Sequence, residues 1–142
     1  MPTDLFLVDS SAWIPYLRRR RIEAIRQRIG ELLASDQVAT TGTILLEILG
    51  GTLDEAEWER LERLLGGLEL LSTTEDQWTE AARLVWRLRR RGVTVPSTDG
   101  LIASVALRYG ATVLHADAHF DRIAEHEGVK VESYVREVSG LA

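Results

Sequence analysis

The sequence predicts a three-layer α/β/α fold, in which helices cover both faces of a central parallel sheet of about five strands. Short apolar runs alternate along the chain with amphipathic stretches at helical spacing, and this βα alternation is typical of parallel sheets. The 142 residues suit one domain, and hydrophobic residues make up 45% of them, enough for a core without disulfides or metal staples. We therefore expect residues 1–142 to form a single domain.

The first strand is predicted by the four apolar residues Leu5 to Val8, a pattern typical of a strand buried on both faces. Asp9 follows where this strand leaves the sheet, and open α/β sheets bind their ligands at that carboxyl edge. Ser10 or Ser11 is a candidate cap for a short helix over Trp13–Leu17. Taken alone, Asp9 fits a solvated turn residue as well as a ligand.

The next three elements follow the same alternation. Apolar residues at helical spacing from Ile22 to Leu33 predict an amphipathic helix, and Val38–Thr40 a second strand. A helix capped within Thr41-Gly42-Thr43 then ends at Gly50-Gly51. Glu47 lies in that helix among apolar neighbours, so we expect its carboxylate to be partly buried.

The second half of the chain continues the pattern. A helix over Asp54–Leu65 precedes a third strand over Leu68–Leu71, and the following helix ends in three arginines, Arg89 to Arg91, that suit the negative end of the helix dipole. Next, Ser97 or Thr98 caps a helix that starts with Asp99. The remaining predicted elements are a fourth strand over Thr112–Leu114, a helix from Ala118 to His126 and a fifth strand over Val129–Val131.

The composition narrows the class of protein. A formal net charge of −5 argues against coating nucleic acid by bulk charge, but it is compatible with a nuclease whose acids are concentrated at a metal site. The absence of cysteine excludes disulfides and thiolate metal sites. We see no signal peptide and no apolar run near the roughly 20 residues that span a bilayer. We expect a cytoplasmic protein that does not bind membranes.

Four acids stand at comparable places: Asp9 after strand one, Glu47 in the helix after strand two, Asp99 at a helix start and Asp117 after strand four. The carboxyl ends of parallel strands share one edge, so the fold would bring these groups together. Clustered carboxylates repel each other, and a divalent cation relieves that cost. Oxygen ligands favour Mg²⁺, with Mn²⁺ as a second candidate.

A cation held there would suit phosphodiester chemistry. It would lower the pKa of a bound water and neutralise charge on the transferring phosphoryl group, so that no serine or histidine nucleophile is needed. The same cluster could instead hold a small molecule that carries a phosphate.

The chain resembles the PIN-domain ribonucleases, and most closely the VapC-type toxins of toxin–antitoxin pairs. The resemblance covers nearly the whole chain, and it rests on the order and spacing of four motifs. These are Val8-Asp9-Ser10-Ser11-Ala12-Trp13, Leu45-Leu46-Glu47-Ile48, Thr98-Asp99-Gly100-Leu101-Ile102-Ala103 and Leu114-His115-Ala116-Asp117-Ala118-His119-Phe120.

The resemblance implies a role for each motif. Asp9 and Asp99 match the principal magnesium-binding aspartates, and Glu47 and Asp117 match the other two acids. Ser11 matches the hydroxyl residue that supports the first aspartate, with Ser10 as the alternative.

The resemblance also implies an activity and partners. It implies cleavage of RNA by a metal-activated water within a single PIN-like nuclease domain. It further implies a homodimer and a cognate antitoxin that blocks the pocket. Asp121 lies near Asp117 and could complete the site in its place, but we interpret it as an exposed acid.

Two other classes of function compete with this hypothesis. In a phosphoaspartyl protein Asp9 would accept the phosphoryl group, but Ser11 stands where a phosphatase of this kind needs a second aspartate. A receiver domain needs a lysine after a late strand, whereas Lys130 opens the fifth strand. In a catalytically inactive module that binds RNA or a partner, the four acids would have no role.

The basic, histidine and tryptophan residues give weaker signals. For Arg18–Arg21, contact with RNA phosphates and a solvated junction fit equally well. The histidines do not share one helical face, which argues against zinc, and His119 is interpreted as a packing or capping residue. The tryptophans fit core or dimer packing, with two of the four expected to be exposed. The three histidines are His115, His119 and His126. Of the four tryptophans, Trp58 and Trp86 are the two expected to be exposed, and the others are Trp13 and Trp78.

Overall fold

A computed structural model of the chain describes residues 4–18 and 22–140. Within these residues the strands are β1 (Phe6–Val8), β2 (Val38–Thr40), β3 (Glu69–Leu70), β4 (Thr112–His115) and β5 (Lys130–Ser133). The helices are α1 (Ser10–Leu17), α2 (Glu23–Ala34), α3 (Gly42–Gly50), α4 (Glu55–Gly66), α5 (Glu75–Arg90), α6 (Ser97–Tyr109), α7 (Ala118–Glu127) and α8 (Val135–Ser139).

The strands form one parallel sheet in the order β3-β2-β1-β4-β5, which confirms the predicted α/β/α architecture. Leu7 of β1 lies opposite Ala39 of β2 on one side and Val113 of β4 on the other. Strands β2 and β3 are thus added on one side of β1, and β4 and β5 on its other side. The crevice at this reversal, beyond the carboxyl ends of β1 and β4, is where such sheets bind ligands.

The core lies against both faces of the sheet. Leu7 and Val113 are fully buried, as are the large side chains of Trp13 and Phe120. Helix α6 is buried at every position from Gly100 to Ala106, which explains why its sequence is apolar nearly all round instead of along one stripe.

Close packing of α5 on α6 depends on a glycine. A Cβ atom at Gly100 would stand 2.4 Å from Cγ2 of Val85, so a larger residue there would push the two helices apart. Because Gly100 directly follows Asp99, this contact also sets the position of the carboxylate at the start of α6.

Two predicted helix starts are wrong by a few residues. Helix α1 begins at Ser10, and its cap is Asp9, whose side chain accepts a hydrogen bond from the Ser11 N–H. The two serines are already helical, so neither provides the cap. Helix α6 begins at Ser97 after Pro96, which places Asp99 inside the first turn instead of at the start.

The tryptophan predictions are partly correct. Trp13 is buried, and Trp58 and Trp86 are exposed as expected, but Trp78 is 58% exposed and belongs to no core. Helix α5 buries positions 77, 81, 84 and 88, and Trp78 lies off that stripe.

Two further expectations concern the chain's surface. Arg18 is exposed at the end of α1, while Arg19–Arg21, the rest of the first basic run, lie outside the described residues. Over residues 4–18 and 22–140, no helix combines the length and apolar character that crossing a bilayer requires.

Candidate metal centre

Asp9 is a buried carboxylate that the protein satisfies on one side only. Asp9 is 3% exposed. Its Oδ2 accepts hydrogen bonds from the backbone N–H (3.0 Å) and the hydroxyl (2.6 Å) of Ser11. The other oxygen, Oδ1, is buried without a hydrogen-bond partner among the described residues. An unpartnered buried carboxylate oxygen is costly, and a bound cation would remove that cost.

Ser11 ties the ends of two strands together. Its hydroxyl donates to Asp9 and accepts the N–H of Ala116, 2.9 Å away, in the loop after β4. The Asp9 N–H donates to the Leu114 carbonyl at 2.9 Å, across the same pair of strands. The contact between Ser11 and Asp9 is the one predicted, whereas Ser10 lies near Glu47 and acts to lower the pKa of that carboxyl.

A second group of side chains forms where α6 and α7 begin. Asp117 caps α7 by accepting the His119 N–H on Oδ1 at 2.9 Å. The His119 ring nitrogen Nδ1 lies 3.0 Å from Oδ1 of Asp117 and 3.2 Å from Oδ2 of Asp99. The three side chains offer ligand atoms that all lie within 4.8 Å of one another.

The electrostatics of Asp99 link this group to Asp9. The Asp99 side chain is 13% exposed, and its pKa is raised from 3.8 to about 6. Burial is the largest cause, followed by the negative charges of Asp9 and then Asp117, while His119 acts in the opposite direction. Asp9, Asp99 and Asp117, which are distant in sequence, therefore lie close enough in the fold for their charges to interact.

Glu47 reaches the site from its edge. We expected it to be partly buried, but it is exposed, because α3 buries Ile44 and Ile48 on a different side. Apolar neighbours in a helical sequence do not enclose a residue, since adjacent side chains point in different directions. The pKa of Glu47 is still raised, first by loss of water around it and then by the charge of Asp9, so the two carboxylates are within electrostatic reach of each other.

Asp121 contacts the site indirectly, through the buried His115. His115 is fully buried, its Nδ1 accepts the Asp117 N–H at 3.1 Å, and its Nε2 lies 3.1 Å from Oδ1 of Asp121. Burial lowers the pKa of His115, whereas the charge of Asp121 raises it. Asp121 also accepts a hydrogen bond from Ser133 at 2.9 Å. The prediction that Asp121 is a merely exposed acid is wrong, and Asp117 is the acid that approaches Asp99.

His119 is the residue at this site that sequence reasoning missed. Its place in the sequence, beside Phe120, favours a packing or capping role. What places it in the site is its approach to Asp99, twenty positions earlier in the chain, and no pattern in the sequence reports that approach.

Comparison with known proteins identifies the class. A family model described as the PIN domain matches residues 6–126, so the chain belongs to the PIN-domain family. Its relatives include the VapC ribonuclease Mb1587 of Mycobacterium bovis, 38% identical over 135 residues that cover 92% of this chain and 99% of that protein. Ribonuclease VapC51 of Mycobacterium tuberculosis is 32% identical over 126 residues, covering 87% and 88% of the two chains. The resemblance drawn from the motifs is thereby confirmed.

Solved structures give the same fold. VapBC2 from Rickettsia felis, bound to a promoter DNA fragment, aligns with a TM-score of 0.76 at 18% identity, over 92% of this chain and 98% of that one. VapC20 from Mycobacterium tuberculosis, a toxin that cleaves the sarcin–ricin loop, aligns with a TM-score of 0.62 at 20% identity, over 82% and 92%.

The residues present fit a divalent cation. Among the described residues, Oδ1 of the buried Asp9 carboxylate has no hydrogen-bond partner, and the charges of Asp9 and Asp117 raise the pKa of Asp99. Oxygen donors of this kind suit a hard dication.

Proposed function

We propose that this protein is a metal-dependent endoribonuclease toxin that a cognate antitoxin neutralises. The observation that carries the proposal is the Asp9 carboxylate, buried at the carboxyl edge of β1 with Oδ1 unpartnered among the described residues. It occurs in a member of the PIN-domain family whose relatives are named ribonucleases. Mg²⁺ is the proposed cofactor, and Mn²⁺ is the alternative.

Each side chain of the site has a proposed role. Asp9 and Asp99 would hold the metal, and Glu47 and Asp117 would complete the acidic set. Ser11 fixes the Asp9 carboxylate by two hydrogen bonds to Oδ2, which leaves Oδ1 free for a cation. When bound, a divalent cation lowers the pKa of a water molecule and neutralises charge on the phosphoryl group.

The protein itself contributes orientation and charge. Because Ser11 also accepts the Ala116 N–H, the Asp9 carboxylate is held at a fixed place relative to the loop that carries Asp117. With its pKa raised to about 6, Asp99 is mostly ionised at neutral pH and loses its charge in mildly acidic solution. This value belongs to the metal-free site, where protonation of Asp99 competes with the cation. We therefore expect metal binding, and with it cleavage at low metal concentration, to weaken below about pH 6.

The proposed partners are an RNA substrate, an antitoxin and a second copy of the chain. Solved structures of similar fold include VapBC from Salmonella typhimurium bound to DNA and a toxin–antitoxin complex from Klebsiella pneumoniae. Leu46 and Leu53 are 74% and 78% exposed, and a groove of about 420 Å³ beside Trp78 and Trp86 is largely apolar. Exposed apolar area of this kind is typical of surfaces that partner chains cover. A cytoplasmic location follows from the proposed substrate.

The proposal is tested by incubating purified antitoxin-free protein with total RNA in Mg²⁺ or in EDTA and mapping the cut ends. We expect discrete cuts with Mg²⁺ that disappear with EDTA and in the Asp9→Asn variant. Asp36→Asn is the matched control, since Asp36 is an exposed acid in a turn with a backbone φ of 57°, which asparagine also adopts. Cleavage that survives Asp9→Asn would contradict the proposal.

The alternatives predict different outcomes. A catalytically inactive module would leave the RNA intact in both Mg²⁺ and EDTA, and one that binds RNA would still retain it. A phosphoaspartyl protein would become labelled at Asp9 by a phosphate donor. The position of Lys130 disfavours that class, because it pairs with Thr112 at the amino end of β4, the edge of the sheet opposite Asp9.

A further inference from the structure

His119 has no role in the proposed function, yet it lies among the acids of the site. We propose that Nδ1 of His119 is a direct metal ligand together with Asp99 and Asp117, and that the site therefore prefers a transition-metal dication such as Mn²⁺ over Mg²⁺. This inference rests on the proposal that the site binds a divalent cation. It adds a ligand and a metal preference to that proposal.

The distances match those between ligands on one ion. Adjacent ligands on an octahedral ion with bonds of about 2.1 Å stand about 3 Å apart. Nδ1 of His119 lies 3.0 Å from Oδ1 of Asp117 and 3.2 Å from Oδ2 of Asp99. The contact with Asp117 follows from the cap at the start of α7, whereas the contact with Asp99 joins two separate helices. The fold itself therefore brings the imidazole to the second carboxylate.

Hydrogen bonding does not account for the position of this nitrogen. Although the His119 side chain is 40% exposed, Nδ1 is buried and has no hydrogen-bond partner among the described residues, despite two oxygens within 3.2 Å. An atom that lies within 3.2 Å of oxygens from two carboxylates, without a hydrogen bond of normal geometry to either, stands where a ligand that shares an ion with them would stand.

A second observation points to a cation independently of this cluster. Oδ1 of Asp9, in a residue that is 3% exposed, has no partner among the described residues, and the charge of Asp9 acts on Asp99. The charge of the buried Asp9 carboxylate therefore acts on the same cluster, and its Oδ1 is the oxygen that a cation held there would satisfy.

The chemistry of the donors sets the preference between ions. Mg²⁺ is bound mainly through oxygen and keeps several waters, so an imidazole adds little to its affinity. Mn²⁺ also favours oxygen ligands, but as a transition-metal ion it accepts an imidazole nitrogen more readily than Mg²⁺ does. A site with two carboxylates and one imidazole should therefore discriminate between Mn²⁺ and Mg²⁺ more strongly than a site of carboxylates alone.

The decisive experiment is pulsed electron paramagnetic resonance on the full chain loaded with Mn²⁺. A directly bound imidazole gives nitrogen modulation of the Mn²⁺ signal, and ¹⁵N-labelling of histidine changes its frequency. We expect this modulation in the wild type, its loss in His119→Gln and its retention in His126→Gln. His126 is the matched control because it is a histidine on the same helix, two turns further on. Absence of nitrogen modulation in Mn²⁺-loaded wild type, or its persistence in His119→Gln, overturns the inference.

Metal titration by calorimetry supplies a second readout that does not depend on RNA cleavage. Removing the imidazole should weaken Mn²⁺ binding roughly tenfold and Mg²⁺ binding about twofold or less, so that the ratio of the two affinities falls. An equal loss for both ions would show that His119 only positions the acids, and would overturn its assignment as a ligand. Wild-type protein that binds neither ion would overturn the metal-dependent function as well, which separates the two failures.

Discussion

Asp99 should weaken the fold that holds it whenever metal is absent. The Asp99→Asn variant keeps the shape of the side chain and removes a charge that is 13% exposed and faces two other carboxylates. We therefore predict that the metal-free variant is more stable than the wild type at neutral pH, although it should no longer support metal-dependent cleavage.

The size of the effect follows from the pKa of Asp99. Raising that pKa from 3.8 to about 6 is a shift of about 2 units, and each unit corresponds to about 1.4 kcal/mol. The gain in the free energy of unfolding is therefore at most about 3 kcal/mol, or up to about 10 °C in Tm for a domain of this size. Loss of the favourable charge in the first turn of α6 offsets part of it, by about 0.5 kcal/mol.

The raised pKa of Asp99 also sets the direction in which the free energy of unfolding changes with pH. Between about pH 4 and pH 6 the folded state holds the Asp99 proton more tightly than the unfolded state. Stability of the metal-free wild type should therefore fall as pH rises through this window, and this contribution should be constant above it. The Asn variant lacks that loss, so the difference between the two proteins should grow from pH 4.5 to pH 7.5.

Urea unfolding in EDTA at several pH values measures this difference. Asp36→Asn, which alters an exposed acid, should track the wild type throughout. Adding Mn²⁺ or Mg²⁺ should stabilise the wild type by mass action and the Asp99→Asn variant much less. A difference between variant and wild type that does not change with pH would refute the reasoning, because the raised pKa would then not reside on Asp99.

Three other substitutions test the local geometry. Asp9→Asn should reduce RNA cleavage at least a hundredfold with an unchanged circular dichroism spectrum, since it removes the carboxylate charge that would bind the metal. Ser11→Ala should cost about 1–2 kcal/mol in urea unfolding and reduce cleavage, because it removes one hydroxyl that serves both strand ends; unchanged stability would mean that water replaces it. Gly100→Ala should destabilise the fold by about 1–3 kcal/mol because the new Cβ would stand 2.4 Å from Cγ2 of Val85. Gly30→Ala is the control and should be neutral or stabilising, because a Cβ there would have nothing within 4 Å. Equal effects at the two glycines would contradict the packing argument.

Much of the site could be read from local patterns. Asp9 after a buried apolar run and Asp117 after the fourth strand were predicted at the sheet's carboxyl edge, and both lie there. These predictions succeed because hydrophobic periodicity locates strands, and parallel strands all end at the same edge. The motifs also identified the family correctly.

Local patterns failed where a residue's surroundings come from other elements. Glu47 has apolar neighbours in sequence but is exposed, and Asp121 seemed an ordinary surface acid but contacts the buried His115. Both depend on which side of a helix faces the rest of the molecule, and sequence neighbours do not report that.

The sequence by itself determined the fold class, the family and the acids that stand at strand and helix ends, because these follow from periodicity, capping chemistry and motif spacing. Tertiary structure alone decided that one oxygen of Asp9 has no partner among residues 4–18 and 22–140, and that Nδ1 of His119 lies 3.2 Å from Oδ2 of Asp99. Packing of α6 and α7 around the ends of β1 and β4 creates that proximity. It depends on contacts between residues far apart in the chain, and no local pattern encodes those contacts.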